Sequence, residues 1–247
     1  MNFYERYISG ETESVYADIE KLGGEAFSPR YYTDIEKVLT ETFHRIKFNL
    51  DIIYKALVDI NYVFWKDKTV NDEAHQPPPL DTRELLSTLE QHIDTVGKLP
   101  VSMKKFYEIV GSCNLAWNYN EDSNILWEMA DPFQIAPLTD CITQVTDEYW
   151  LEEMEDYIRD EDFGYAFLEL SADNLHKDNV SGGAPYVLQL RKEKRIDSNF
   201  LNEPNDTTFI NYLRICFENC GFPGMAGSDN AQFKAFFDRV KPQLQKI

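Results

Sequence analysis

Two apolar runs separated by a polar loop occupy residues 163–190, and this stretch constrains the fold more than any other part of the chain. Alternate residues of each run fall on one face of an extended strand: Ala166, Leu168 and Leu170 in the first run, and Tyr186, Leu188 and Leu190 in the second. Gly182 and Gly183 lie in the loop, where a turn requires backbone freedom. The pattern predicts two paired β-strands at the centre of the fold.

Most of the other apolar residues recur at the spacing of amphipathic helices. We expect helices over residues 11–22, 33–66, 81–97, 100–111, 147–162, 206–221 and 230–244. Asp206 or Thr207 is expected to cap the sixth of these. Short strands are expected over residues 114–119 and 133–136, and residues 196–201 are a further candidate. The sequence therefore predicts an α+β fold, with one antiparallel sheet flanked by helices and a helical extension at the N-terminus.

A polar run that ends in three prolines occupies residues 71–79. Consecutive prolines cannot continue a helix, so this run is typical of a linker. We therefore predict a helical N-terminal extension over residues 1–79 and an α+β domain over residues 80–247.

The chain carries 43 acidic and 24 basic residues, a formal net charge of −19 at pH 7. Such a charge repels nucleic acid and anionic membrane surfaces and attracts a basic protein partner, although acidity also serves solubility alone. We find no signal peptide and no apolar stretch of about 20 residues that would span a membrane. Four irregularly spaced cysteines do not form a disulfide framework. We therefore expect a cytoplasmic protein.

The most acidic segment, residues 147–162, contains nine carboxylates. Its apolar residues fall at helical offsets and predict a buried stripe of Trp150, Leu151, Met154, Tyr157 and Ile158. The exposed carboxylates then form either an ordinary solvated helix face or a docking surface. Trp127, in the irregular section 125–138, is expected at the surface because Asn124 and Glu128 are its neighbours. The candidate partner-binding residues are Glu152, Glu153, Glu155, Asp156, Asp160, Glu161 and Trp127.

No constellation of residues predicts catalysis. His176 and Asp178 are nearly adjacent, and we expect Asp178 and Asn179 to hold their own loop by backbone hydrogen bonds. Residues 160–162 lack the alternating ligands of a calcium loop. Cys216 and Cys220, one helical turn apart, have no further ligand at metal-binding spacing and are expected to be core thiols. We predict no enzyme activity, no metal and no cofactor.

Several motifs together resemble the SUKH superfamily, the Smi/Knr-like proteins. The motifs are Leu99-Pro100 followed by Met103, Phe106, Tyr107 and Gly111; the run Tyr165 to Leu170; the loop His176 to Tyr186 with its Gly-Gly-Ala-Pro-Tyr ending; Thr208-Phe-Ile-Asn-Tyr-Leu213; and Gly221-Phe-Pro-Gly224. The resemblance covers roughly residues 81–227 and leaves the N-terminal extension outside it. Surface residues vary widely in this superfamily, so no functional residue is transferred from it.

The resemblance implies protein binding rather than catalysis. Bacterial members of the superfamily are similar to immunity proteins that neutralise toxins, often nucleases, and yeast members act in cell-wall and growth signalling. A nuclease toxin presents a basic groove, and an acidic protein can occlude that groove. We therefore expect an immunity or antitoxin-like protein that binds a basic toxin domain. The alternative is a regulatory or scaffold module without a toxin partner.

Overall fold

The computed structural model describes residues 2–65, 73–119 and 127–247. The described helices are α1 (Phe3–Ile8), α2 (Thr12–Lys21), α3 (Tyr32–Asp59), α4 (Thr82–Ile93), α5 (Val101–Ile109), α6 (Leu138–Val145), α7 (Trp150–Arg159), α8 (Asn174–Lys177), α9 (Phe209–Glu218) and α10 (Ala231–Val240). The described strands are β1 (His75–Gln76), β2 (Ser112–Asn114), β3 (Gln134–Ile135), β4 (Ala166–Ser171), β5 (Tyr186–Leu190), β6 (Asn199–Leu201) and β7 (Thr207–Thr208). The predicted α+β class is confirmed.

Three sequence predictions extend past these ranges. The end of the predicted helix, Lys66, lies outside the described residues, as do the first two residues of the predicted linker. Ile125 and Leu126, which begin the irregular section, and Asn124 before them also lie outside.

The described strands form two antiparallel sheets, so the expectation of one sheet is wrong. One sheet has the order β1-β2-β3, and the other has the order β4-β5-β6-β7. The N–H of Ala136 donates to the carbonyl of Leu170 at 2.8 Å and connects the ends of β3 and β4. Pro137 follows immediately, has no N–H to continue a ladder, and is the N-cap of α6. The chain therefore turns into a helix where the two sheets would otherwise join.

The central hairpin is confirmed as β4 paired with β5. Ala166 lies opposite Leu190 and Leu168 lies opposite Leu188, so the predicted apolar faces coincide. All five residues of β5 are buried, as in a strand that is covered on both faces. Within the loop between the strands, residues 174–177 form the short helix α8.

The long helix α3 packs its apolar stripe into the interior. The ring of Phe43 meets the ring of Phe106 on α5 edge-on, with 6.2 Å between their centroids. The helix ends at Asp59 and not at Lys66, because Asn61 adopts a left-handed conformation with φ of 58°. The N–H groups of Asn61 and Tyr62 then donate back to the last turn, which is a Schellman motif. None of the described helices combines the length and apolar content needed to cross a membrane.

The predicted linker is partly structured, because His75–Gln76 pairs with β2 as strand β1. Gly111 sits against this segment with φ of 97°, and a Cβ there would lie 2.1 Å from the carbonyl oxygen of Gln76. Buried side chains from both sides of the linker belong to one hydrophobic cluster that runs from Phe3 to Ile247. The N-terminal helices therefore pack as part of the core, and the domain boundary at residue 79 stays a prediction.

A carboxylate from another element caps helix α9. Thr208 is the N-cap residue, and its side chain makes no capping hydrogen bond, so the prediction of Asp206 or Thr207 is wrong. Asp197 accepts hydrogen bonds from the N–H of Ile210 at 3.0 Å and from the hydroxyl of Ser102 at 2.7 Å. Burial raises the pKa of Asp197. This residue fixes the start of α9 and the β5–β6 turn against α5.

Candidate functional site

Helix α7 turns an acidic face outward because two side chains on its other face are buried. Trp150 is 5% exposed and Met154 is 1% exposed, and the N–H of Phe167 on β4 donates to the sulfur of Met154 at 3.3 Å. The prediction that Trp150 is a core residue is confirmed. Leu151, expected in the same stripe, is 39% exposed, so that part of the prediction is wrong. Trp150 and Met154 therefore anchor the helix to the core, and its carboxylates face solvent.

A shallow groove of about 430 Å³ runs along this exposed face. Four predicted carboxylates line it together with two tyrosines: Tyr149, Glu152, Glu153, Asp156, Tyr157 and Asp160. These side chains share one face because residues four apart in sequence lie above one another on a helix. One column therefore consists of Glu152, Asp156 and Asp160, and the adjacent column places Glu153 between two aromatic rings.

The remaining predicted carboxylates of this segment are placed differently. Glu155 lies outside the lining and accepts from Arg159 at 2.8 Å, while Arg159 also donates to Asp156 at 2.6 Å. Glu161 is exposed beyond the end of the helix and does not line the groove. Within the described part of the chain, Glu152, Glu153 and Asp160 form no ion pair with a basic side chain. These three carboxylates keep most of the negative potential of the groove.

Exposed aromatic rings border the acidic groove. Tyr149 is 65% exposed and Phe163 is 47% exposed. The ring of Tyr157 links the groove to the second of these, because its centroid lies 5.0 Å from that of Phe163 and 5.0 Å from that of Phe167. Phe163 is not among the binding residues predicted from the sequence. A sign of its exposure is present in the sequence: Phe163 is a large apolar residue that directly follows four charged residues and belongs to no helical stripe.

A second depression, of about 240 Å³, lies on the other side of α7. Glu153 contributes to both depressions, and Glu169 on β4 joins it in the second beside the rings of Trp150 and Phe167. Burial, and then the charge of Glu153, raise the pKa of Glu169. A cationic side chain placed here would relieve that repulsion. The arrangement suits a partner that inserts Arg or Lys side chains on both sides of the helix.

Trp127 is a core residue, so the expectation that it lies at the surface is wrong. Its side chain is 3% exposed, and its ring centroid lies 4.8 Å from that of Phe222 and 5.1 Å from those of Phe233 and Phe236. Helix α10 covers the indole. The polar neighbours of Trp127 in sequence did not indicate these contacts, because the contacting rings lie about a hundred positions later in the chain.

The loop around His176 is held by Asp173 and not by the predicted residues. The carboxylate of Asp173 accepts from the N–H groups of Leu175 and His176 at 2.8 and 3.2 Å and also contacts the His176 ring. Asp178 accepts from the N–H of Met129, which ties the loop to residues 127–131. Gly183 packs against Asp173, and a Cβ there would lie 2.2 Å from its carboxylate. These contacts give the motif a structural role.

The cysteines are buried, as predicted for core thiols. Burial raises the pKa of Cys220 to about 12 and that of Cys141 to about 11, and it raises the pKa of Cys216 as well. Thiols in this state are poor nucleophiles and poor metal ligands. In the described ranges, no group of three or more His, Cys, Asp and Glu side chains is placed to hold a metal ion.

No protein-family model matches this chain, and no curated protein or solved structure matches it significantly. The resemblance to the SUKH superfamily therefore stays a hypothesis, and the site is interpreted from its own geometry.

Proposed function

We propose that this protein is a non-enzymatic, immunity-like protein that binds a basic protein domain through the outer face of α7. The observation that carries the proposal is the groove in which Glu152, Glu153 and Asp160 lack cationic partners among the described residues while exposed aromatic rings stand beside them. A face of this kind is complementary to a surface rich in Arg and Lys.

The electrostatic part of the proposal rests on a concentrated charge. Residues 147–162 contain nine carboxylates and a single basic residue, Arg159. A surface of this sign accelerates association with a basic partner, and salt weakens the effect because it screens the exposed charges. The depression at Glu169 adds a carboxylate whose pKa is raised by burial and, to a lesser extent, by the negative charge of Glu153.

The aromatic rings beside the groove would strengthen binding, whereas the carboxylates mainly accelerate association. Protein interfaces concentrate binding energy in a few aromatic or Arg residues surrounded by a polar rim. Tyr149, Tyr157 and Phe163 have this arrangement, with carboxylates around them. We infer that a cation of the partner stacks on a tyrosine while its charge meets Glu153.

The nature of the partner follows from charge and from the family resemblance together. A nuclease toxin must present a basic groove to bind nucleic acid, and an acidic face can occlude that groove. The resemblance to SUKH immunity proteins favours a toxin over other basic proteins. We place this encounter in the cytoplasm, where an immunity protein would meet a toxin that has entered the cell. A regulatory or scaffold module would use the same surface for a harmless basic partner.

Affinity capture of the tagged protein from its own cells at low salt tests the proposal. The test variant carries Glu152→Lys, Glu153→Lys and Asp160→Lys. The control variant carries Glu25→Lys, Asp59→Lys and Asp238→Lys, which are exposed carboxylates that make the same change in charge elsewhere. We expect wild type and control to retain a stoichiometric basic protein that salt releases, and the test variant to lose it.

Toxicity then separates the two classes of partner. A captured protein that arrests growth when expressed alone, and is neutralised by co-expression of this chain, supports the immunity function. A harmless partner lost from the test variant supports the regulatory alternative. Equal retention by the test variant and the wild type would exclude the α7 face.

A further inference from the structure

A further cleft of the described structure shares no lining residue with the acidic groove. It has a volume of about 450 Å³. One wall is helix α2, with Tyr16 and Glu20, and the other consists of the β5–β6 turn, β6 and the start of α9. The N-terminal helices thus form half of a cleft of the size that small-molecule sites occupy.

Three arginines line this cleft in an otherwise acidic protein: Arg191, Arg195 and Arg214. The first two belong to the turn 191–195, which also contains Lys192 and Lys194 and is the densest group of basic residues in the chain. Both arginines are exposed, and neither side chain hydrogen-bonds or pairs with a carboxylate among the described residues. Two guanidinium groups that have no partner among the described residues therefore line the same cleft.

The backbone of the turn is fixed, so these two arginines start from defined positions. The carbonyl of Arg191 accepts from the N–H of Lys98 at 2.7 Å, and the carbonyl of Arg195 accepts from the N–H of Val101 at 3.1 Å. The ammonium of Lys192 donates to the carbonyl of Thr95 at 2.8 Å. Anchoring on both sides reduces the ordering entropy that ligand binding would cost.

Arg214 on α9 adds a third, rigidly held positive charge to the cleft. Its Nε donates to the carbonyl of Ile247 at 3.1 Å, its guanidinium also donates to the carbonyl of Thr12 at 3.4 Å, and it lies 4.7 Å from the ring centroid of Tyr16. Of the acidic lining residues, Glu13 pairs with Lys246 at 2.9 Å and Asp197 is engaged in capping α9. Glu20 forms no ion pair with a described residue.

We propose that this cleft binds a small phosphorylated molecule that also carries hydroxyl groups, such as a sugar phosphate or a mononucleotide. Guanidinium groups recognise phosphate by paired, charge-assisted hydrogen bonds. Glu20 accepts a hydrogen bond from a ligand hydroxyl on the facing wall. A long polyanion does not fit, because the net charge of −19 repels it outside the cleft.

Calorimetric titration of the full chain with ribose 5-phosphate, inorganic phosphate, ribose and citrate tests this assignment. The test variant is Arg191→Gln with Arg195→Gln. The control is Lys37→Gln with Lys194→Gln, two exposed lysines outside the cleft that remove the same charge. We expect one molecule of ribose 5-phosphate per chain, with affinity weakened about tenfold or more in the test variant and unchanged in the control.

Glu20→Gln tests recognition of the ligand's hydroxyl groups separately from recognition of its phosphate. This substitution is expected to reduce the preference for ribose 5-phosphate over inorganic phosphate while leaving phosphate binding intact. Nuclear magnetic resonance should place the largest amide shifts at Asn199 and Thr208, which line the cleft. Absence of saturable binding, equal weakening in test and control variants, or equal affinity for citrate would each overturn the proposal. None of these outcomes bears on the α7 face, because the two sites share no residue.

Discussion

The ammonium of Lys177 donates to the carboxylate of Asp131 at 2.7 Å, and both side chains are less than 5% exposed. The hydroxyl of Tyr186 donates to the same carboxylate at 3.1 Å, and the Lys177 ammonium lies 4.4 Å from the Tyr186 ring centroid. This buried pair joins the loop of the central hairpin to residues 127–131. The pair therefore holds Lys177, at the end of α8, against the core.

Removing one partner of this pair leaves a buried charge without compensation. We expect Lys177→Met to lower the free energy of unfolding by about 3–5 kcal/mol, as measured by urea denaturation. Lys194→Met, at an exposed position, is the control and should change it by less than about 0.5 kcal/mol. Adding Asp131→Asn to Lys177→Met removes the orphan charge, and asparagine tolerates the left-handed φ of 47° at this position. The double variant should recover much of the loss; a single variant as stable as the control would contradict this role of the pair.

Gly183 is required by close packing on Asp173. We expect Gly183→Ala to destabilise the protein by about 1–3 kcal/mol, because its Cβ would overlap the capping carboxylate. Gly24→Ala is the matched control, since open space surrounds that position, and it should be neutral or slightly stabilising. Thermal unfolding of the two variants measures the difference. Equal stability would show that the hairpin loop adjusts without cost.

Trp127 and Tyr149 should respond to truncation in opposite ways. Trp127→Ala empties a space among the rings of Phe222, Phe233 and Phe236 and should lower the free energy of unfolding by about 3–5 kcal/mol. Tyr149→Ala removes an exposed ring and should leave stability within about 0.5 kcal/mol while weakening partner binding. Urea denaturation and a binding titration, both on each variant, measure the two effects. Loss of binding in folded Trp127→Ala would reassign the interface.

The fold could be predicted where local patterns determine it. The alternation in residues 166–170 and 186–190 gave the central hairpin, and helical spacing gave α7 with its acidic face. Helix α6 was missed although Pro137, Leu138, Cys141 and Val145 carried a recognisable start and stripe. The division into two sheets was not visible, because it depends on how Pro137 ends β3 beside Leu170, a contact between distant parts of the chain.

The candidate site could be predicted in its charge but not in its shape. Glu152, Glu153, Asp156 and Asp160 were identified from the helix period, whereas Glu155 pairs with Arg159 and Glu161 lies off the groove. Trp127 was misplaced because its partners come from α10 and the residues before it. Phe163 was missed because exposure of a ring depends on packing that the sequence does not state.

We expect the raised pKa of Glu169 to make binding of the proposed basic partner depend on pH. Burial and Glu153 raise this pKa, so between the ordinary and the raised value the unbound folded protein holds a proton on Glu169 that a cationic partner would displace. Affinity should therefore increase as the pH rises from the ordinary glutamate pKa through the raised value. The free energy of unfolding of the unbound protein should fall over the same range, because the folded state binds more protons than the unfolded state. Glu169→Gln should reduce both dependences, and Glu84→Gln, an exposed control, should leave them unchanged. A pH profile unaffected by Glu169→Gln would contradict the contribution of the second depression.

The most direct test of the central claim is the dissociation constant of the captured basic partner, measured at several salt concentrations. The comparison needs the wild type, the α7 variant with Lys at positions 152, 153 and 160, and the control variant with Lys at positions 25, 59 and 238. We predict tight binding at low salt that weakens steeply with ionic strength for wild type and control, and loss of at least about two orders of magnitude for the α7 variant. Equal affinity and equal salt dependence in all three proteins would show that the acidic face of α7 is only a solvated helix surface.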